Sequence, residues 1–405
     1  MKQLKLWMLA AILIICGATT FTSCTNEDEP VQNEEQPVIK SRVTAMVHND
    51  DAKMTIYVIE YPSTDPYGNP TTLSGTITVG DEVTKEVPAK GLLLYNHFTV
   101  YRANQCPSKG DLKVQTLMAG SGLITVSPDY YGFGITEDKP QAYCNSRANA
   151  QASVDALLAA KELLPTLGYS WNDDILFNAG YSQGGQTTMG VVRLIDEKYP
   201  DLHITYTFAG GGSYDIPATY AAFIQAGQTG MPSSVISVLL SYNEFYKLGI
   251  PREDIFIEPL LSNIDAWILS KQYTSNEIDQ FVGSYQLSDF VTPAMLDITS
   301  PLSQRFLQAL AQDNICQGWT PRKNQHILLV HHTEDITVPA VNALNMYNFL
   351  KAQGVEDVQP YIGNFGYMGN YPAHETAAVV FVTLAVGKVC DILDTDVWFK
   401  IEDIL

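Results

Sequence analysis

The stretch NAGYSQGGQT, Asn178 to Thr187, sets Ser182 between Gly180 and Gly184 and adds Gly185 directly after. An apolar run, Ile175 to Ala179, precedes it, and a helix-forming run, QGGQTTMGVVRLIDEKY, follows. A serine at a strand-to-helix corner, with glycines where the backbone crowds in, has the pattern of a nucleophile elbow. The alternative is a glycine-lined turn whose serine only caps the helix through its hydroxyl.

A serine hydroxyl does not ionise usefully at neutral pH. It needs a base within hydrogen-bond reach and an acid that fixes the tautomer of that base. HILLVHHTEDITVPA ends an apolar run and places Asp335 shortly before Val338-Pro339. Asp335 is the expected acid, and Glu334 is its competitor. His374 is the only histidine after Asp335, in GNYPAHETAAVVFVTLAVG, between a Gly/Asn/Pro loop and an apolar helix. It is the expected base; a helix-capping imidazole is the alternative. The order serine, acid, histidine is one that such sites use.

The developing oxyanion needs donors. A helix that begins just past Ser182 supplies a positive dipole end, with the amide of Gln183 as first donor. The second donor is expected from the loop after GLLLYNHF, at Phe98 or Thr99, while His97 reads as a structural hydrogen-bonding residue. His331, His332, Glu334 and Asp335 are metal-ligand types, but adjacent histidines at a strand end point to opposite faces. No metal is assigned.

The elements that must hold these residues alternate. MTIYVIEY and TTLSGTITV are split by PSTDPYGNP and read as a hairpin. GLLLYNHF, GLITVSPDY, DILFNAGYS, ITYTFAGG and HILLVHH are short apolar runs of the kind found in parallel strands buried on both faces. Helical patterns lie between them. One places Val154, Leu157 and Leu158 on a face, and another starts at Pro339 and stops at Gly354. The fold class is therefore α/β, a mostly parallel central sheet flanked by helices. From about 216 to 322 the alternation is lost and Pro232, Pro251, Pro259, Pro293 and Pro301 interrupt helix-like stretches, which predicts a helical cap insertion. SSVISVLLSYNEFY within it offers an apolar stripe, for an acyl-facing surface or for core packing.

The chain start has a different character. Lys2 and Lys5 precede an apolar run from Leu6 to Cys16, too short for a comfortable span. Phe21-Thr22-Ser23-Cys24 then resembles a bacterial lipobox, which implies a signal peptide over 1–23 and a lipid anchor on Cys24. An ordinary secretory signal is the alternative. Residues 24–40 are an expected flexible tether, since TNEDEPVQNEEQP within them is acidic and nearly free of apolar side chains. Glu27-Asp28-Glu29 resembles a surface-export signal. Residues 41–405 form the expected folded domain. The formal net charge of −20 and the lack of a basic stripe argue against a nucleic-acid partner. Cys106, Cys144, Cys316 and Cys390 remain in the body, and a Cys106–Cys144 disulfide is expected because both follow consecutive predicted strands.

Four stretches, VSPDYYGFG, GYSQGG, HTEDITVP and AHETAA, carry a family likeness. With them the chain resembles the α/β-hydrolases, and more narrowly the secretory lipase family and related bacterial lipoprotein esterases. The resemblance implies hydrolysis of acyl esters through an acyl-serine, no cofactor, and a lid-like cap over the pocket. The expected substrate is a small or polysaccharide-linked ester, with acetyl and feruloyl groups as candidates. The expected location is the outer membrane surface. Tyr130, Tyr131 and Phe133, at the end of another predicted strand, are candidate pocket residues, with core packing as the alternative. Gly184-Gly185 also occurs in prolyl-oligopeptidase-like serine peptidases, and a non-catalytic surface binding protein is the third reading.

Overall fold

The computed structural model describes residues 40–110 and 120–395. The expected signal peptide, Cys24 and the tether up to residue 39 lie outside the described residues.

A nine-stranded sheet forms the centre, in the order β1-β2-β3-β5-β4-β6-β7-β8-β9. The strands are β1 (Arg42–Asn49), β2 (Met54–Thr64), β3 (Pro70–Gly80), β4 (Gly91–Asn96), β5 (Leu123–Pro128), β6 (Leu176–Tyr181), β7 (Tyr206–Gly210), β8 (His326–His332) and β9 (Asp357–Gly363). From β5 through β4 to β9 neighbouring strands run parallel, whereas β1, β2 and β3 pair antiparallel and join at the β5 edge. The β2–β3 hairpin turns on Asp65, whose carboxylate accepts the amides of Tyr67 and Asn69 at 2.9 and 2.8 Å.

Side chains alternate across the central strands and explain why their sequences are apolar throughout. Leu92 and Leu94 of β4 pack with α1 (Ser146–Leu167) and with α2 (Gln183–Lys198) on one face. Leu93 and Tyr95 join the other face, beneath a long helix (Ala373–Leu393) whose Ala377, Phe381 and Val382 are buried. That helix is apolar enough to cross a membrane by composition, but its apolar side lies on this sheet. Each large apolar side chain withdrawn from water contributes about 1.5–3 kcal/mol. On α1 the expected stripe is narrower than predicted: Val154 and Leu157 are buried, while Leu158 is exposed because the buried face continues through Ala150, Ala160 and Leu164.

Between β7 and β8 the chain forms a helical layer with α3 (Ile216–Ala226), α4 (Pro232–Phe245), α5 (Ser275–Val282) and α6 (Pro301–Leu310), joined by shorter turns. Pro232 and Pro301 start helices at their first positions, where a missing amide costs nothing. The layer has its own core, including Ile236, Tyr242, Phe290 and Phe306. Polar pins fasten it to the sheet domain. Tyr242 and Ser146 of α1 both donate to the buried Asp313 at 2.9 Å. Lys271 Nζ donates to the carbonyls of Gly132, Glu137 and Lys139 at 2.5, 2.8 and 2.5 Å. The helices α7 (Val341–Ala352) and α8 (Ala373–Leu393) follow β8 and β9.

The expected Cys106–Cys144 disulfide is not formed, and all four of these cysteines are free thiols. Cys106 packs with Val100 and Phe133, whereas Cys144 belongs to the core of the helical layer, so the two occupy separate clusters.

Candidate active site

Ser182 sits between β6 and α2 at φ 59° and ψ −123°. A side chain in this region costs on the order of 1–3 kcal/mol, so the surroundings must hold it there. The Ser182 amide donates to Gly210 O at 2.9 Å, and its carbonyl accepts from the Gln186 amide at 3.1 Å. The glycines admit a backbone crossing too close for any other residue. A Cβ on Gly180 would lie 2.4 Å from Gly184 O, one on Gly184 2.1 Å from Asn96 O, and one on Gly185 2.2 Å from Gly210 O.

The Ser182 hydroxyl makes no capping bond to α2. Its Oγ lies 2.9 Å from His374 Nε2, and His374 Nδ1 lies 2.6 Å from Asp335 Oδ2. A proton on Nδ1 faces the carboxylate, which leaves Nε2 as the acceptor for the serine. The structure thus brings together Ser182 from the β6–α2 corner, Asp335 from the turn after β8 and His374 from the first turn of α8. Asp335 Oδ1 accepts the Thr337 and Val338 amides, both at 2.8 Å. Tyr181 donates its hydroxyl to the His374 carbonyl at 2.6 Å and sets the start of α8.

The charges are coupled. Burial works against an anion at Asp335, yet the charge of His374, with hydrogen bonds from His331 and His374, holds its carboxyl well below the usual range. Burial also works against a cation at His374, yet the charge and hydrogen bond of Asp335, with Glu375 behind, raise its pKa above the ordinary histidine value.

Glu334 turns elsewhere: it accepts from Asn364 Nδ2 at 2.8 Å and from Tyr367 OH at 2.5 Å. His331 and His332 diverge. His331 Nε2 donates to Val338 O at 2.8 Å, while His332 Nε2 donates to Gly366 O at 3.1 Å.

Gln183 opens α2, so its amide has no acceptor within the helix. The Asn96 and His97 carbonyls come against Gly184, which puts the segment leading to Phe98 and Thr99 beside the helix start. Asn96 anchors that segment by donating to Asn178 Oδ1 and Thr188 Oγ1, both at 2.9 Å. His97 is buried and stacked on Tyr130 with ring centroids 4.1 Å apart, and its nitrogens face the carbonyls of Phe98 and Asp129 at 2.6 and 3.2 Å. Burial lowers its pKa, against the pull of the two carbonyls. Thr99 Oγ1 pairs with Tyr143 OH at 2.9 Å.

A cleft runs from Ser182 and Gln183 into the helical layer. Its apolar wall comprises Phe223 of α3, Val235, Val238 and Leu239 of α4, and Leu310 of α6. The stripe in SSVISVLLSYNEFY divides, since Ile236 is core and Val238 lines the cleft.

Tyr130, Tyr131 and Phe133 do not line this cleft, which corrects the sequence expectation. Asp129 is held by Ser74 Oγ at 2.5 Å and the Ser108 amide at 2.8 Å, and the chain then turns inward through Tyr130 at φ 63°. Tyr130 ends beneath His97, Tyr131 meets Phe245 edge-on with centroids 6.1 Å apart, and Phe133 packs with Val100 and Cys106. The cleft instead receives Tyr143, Cys144 and Ser213, which sequence reasoning missed. For Ser213 a signal existed: FAGGGS follows the strand beside the elbow, at the carboxyl edge where such sheets place their chemistry.

Comparisons with known proteins agree in direction. A profile described as secretory lipase matches residues 110–382. Comparison with curated proteins gives no match. The rice cell wall degrading esterase LipA from Xanthomonas oryzae is similar at TM-score 0.69 and 21% identity, over 88% of this chain and 97% of that one. A putative hydrolase from Legionella pneumophila is similar at TM-score 0.71 and 22% identity, over 88% and 97%. Candida antarctica lipase A in its closed state follows at TM-score 0.63 and 17% identity, over 90% and 83%. At such identities these likenesses show a shared α/β-hydrolase fold.

Proposed function

The chain belongs to the secretory lipase family, and from that premise we propose that it is a serine esterase working through an acyl-enzyme on Ser182. The single observation that carries the proposal is the hydrogen-bonded line from Ser182 Oγ through His374 to Asp335, with steps of 2.9 and 2.6 Å.

Ser182 Oγ attacks the ester carbonyl carbon while His374 Nε2 takes the hydroxyl proton, and Asp335 stabilises the resulting imidazolium. The carbonyl oxygen becomes an oxyanion that accepts from the Gln183 amide and, in this proposal, from the amide of Phe98 or Thr99. Collapse breaks the carbon–oxygen bond to the alcohol, which leaves with the proton from His374. Water then attacks the acyl-serine with His374 again as base. The acid departs and the Ser182 hydroxyl is restored.

The apolar cleft suits the acyl part of the substrate. Acetyl or feruloyl esters of carbohydrate are the proposed natural class, in keeping with a structural neighbour named as a cell wall degrading esterase. Cys24 is the proposed lipid anchor at the outer membrane surface, and two or more acyl chains there would hold the protein stably. The Gly184-Gly185 pair gives no support to a peptidase, since close approach to Asn96 and Gly210 accounts for both glycines. A fully hydrogen-bonded set of three gives none to a non-catalytic role.

The test is hydrolysis of a p-nitrophenyl ester series by the wild type and by Ser182→Ala. The wild type is expected to turn over the series and the alanine variant to lose turnover. Retained activity in the variant removes the proposal.

A further inference from the structure

The mechanism above makes no use of His331. On β8, Ile327 and Leu329 face α7 and pack with Ala343, Met346 and Leu350. His331 continues that alternation and is 0% exposed. An aliphatic side chain would extend the apolar packing, whereas an imidazole needs polar partners. Its Nε2 lies 2.8 Å from Val338 O. A carbonyl only accepts, so the ring carries a proton on Nε2. Its Nδ1 is buried with no partner among the described residues, an arrangement that opposes stability.

What the ring does hold is the acid turn. Val338, whose carbonyl it fastens, donates its own amide to Asp335 Oδ1 at 2.8 Å. The same Nε2 lies 3.5 Å from Asp335 Oδ2, the oxygen that faces His374 Nδ1 at 2.6 Å. We infer that His331 is a positioning residue for the acid. By fastening the Val338 carbonyl it closes the turn that presents two amides to Asp335, and its N–H edge flanks the carboxylate oxygen aimed at His374. The inference rests on the serine-esterase reading. It explains why an imidazole with an unpaired nitrogen occupies a site that packing alone would fill with a hydrocarbon.

The experiment compares the full-length wild type, His331→Leu and His331→Gln for Tm, kcat, KM and the pH profile of kcat/KM. The titratable groups facing His374 are Asp335 from the acid turn, Glu375 beside it on α8, and Tyr181 from β6. Loss of aim at Asp335 weakens support for the imidazolium. In His331→Leu the acid limb is therefore expected to move to lower pH and kcat to fall about tenfold or more, with KM little changed and Tm equal or higher. His331→Gln, whose amide N–H can reach the Val338 carbonyl, is expected to recover most of the activity. Unchanged kcat and acid limb in His331→Leu overturn the inference while leaving the esterase reading intact. Unfolding of that variant also overturns it, since an aliphatic residue in line with Ile327 and Leu329 should be tolerated. A wild type without esterase activity removes the parent reading and this inference together.

Discussion

At the scale of single residues, the site depends on a hydroxyl held in a strained backbone and on a charge shared between two buried groups. In the proposed mechanism His374 must be neutral to take the proton of Ser182, and Asp335 raises its pKa. Activity is therefore expected to fall as pH drops through that raised value. In Asp335→Asn the charge is lost and, with the Thr337 and Val338 amides holding the remaining oxygen, an NH2 faces His374 Nδ1 and disfavours the tautomer that accepts from Ser182, so the acid limb moves to lower pH while kcat falls by about 10³–10⁴-fold; a pH–rate profile checks both. Strain gives a second prediction. Ser182 has φ 59°, which glycine adopts freely. Ser182→Gly is expected to abolish turnover yet stabilise the fold by about 1 kcal/mol, read by denaturant unfolding. Gly184→Ala should do the reverse to stability, costing about 2–4 kcal/mol, because its Cβ would press on the Asn96 carbonyl at 2.1 Å.

At the scale of elements, the legible parts were those whose burial is symmetrical. Strands β4 to β8 are covered on both faces, so they read as unbroken apolar runs. The edges escaped notice: β1 exposes most of its residues, and β9 carries the exposed Pro360 and Tyr361. Ser182, Asp335 and His374 were legible because motif context and chain order constrain them. The cleft was not, because α3, α4 and α6 converge on it from positions far apart in the chain, and no local pattern marks Tyr143 or Cys144. The inward turn at Tyr130 was equally hidden, since it depends on Ser74 and Ser108 gripping Asp129. The cleft wall carries its own prediction. Leu239→Trp on α4 should fill part of the cleft and lower kcat/KM for long acyl esters at least tenfold, with acetyl esters little affected. A p-nitrophenyl ester chain-length series reads the change.

At the scale of the whole molecule, the parallel sheet gathers three distant segments at one edge, and the helical layer roofs them. Asp313 and Lys271 tie that roof to the sheet domain. The net charge of −20 is expected to disfavour the approach of anionic substrates at long range. Neutral esters should show kcat/KM nearly independent of salt. Esters with a carboxylated acyl group should be poorer at low ionic strength and improve as salt screens the field, which steady-state kinetics across a salt series will show. The measurement that bears most directly on the central claim is mass spectrometry of the protein after fluorophosphonate treatment, run beside ester hydrolysis. The account predicts one adduct, on the peptide containing Ser182, formed in step with loss of activity and absent in Ser182→Ala. Inactivation with the adduct on another residue, or undiminished hydrolysis once Ser182 is modified, would contradict it.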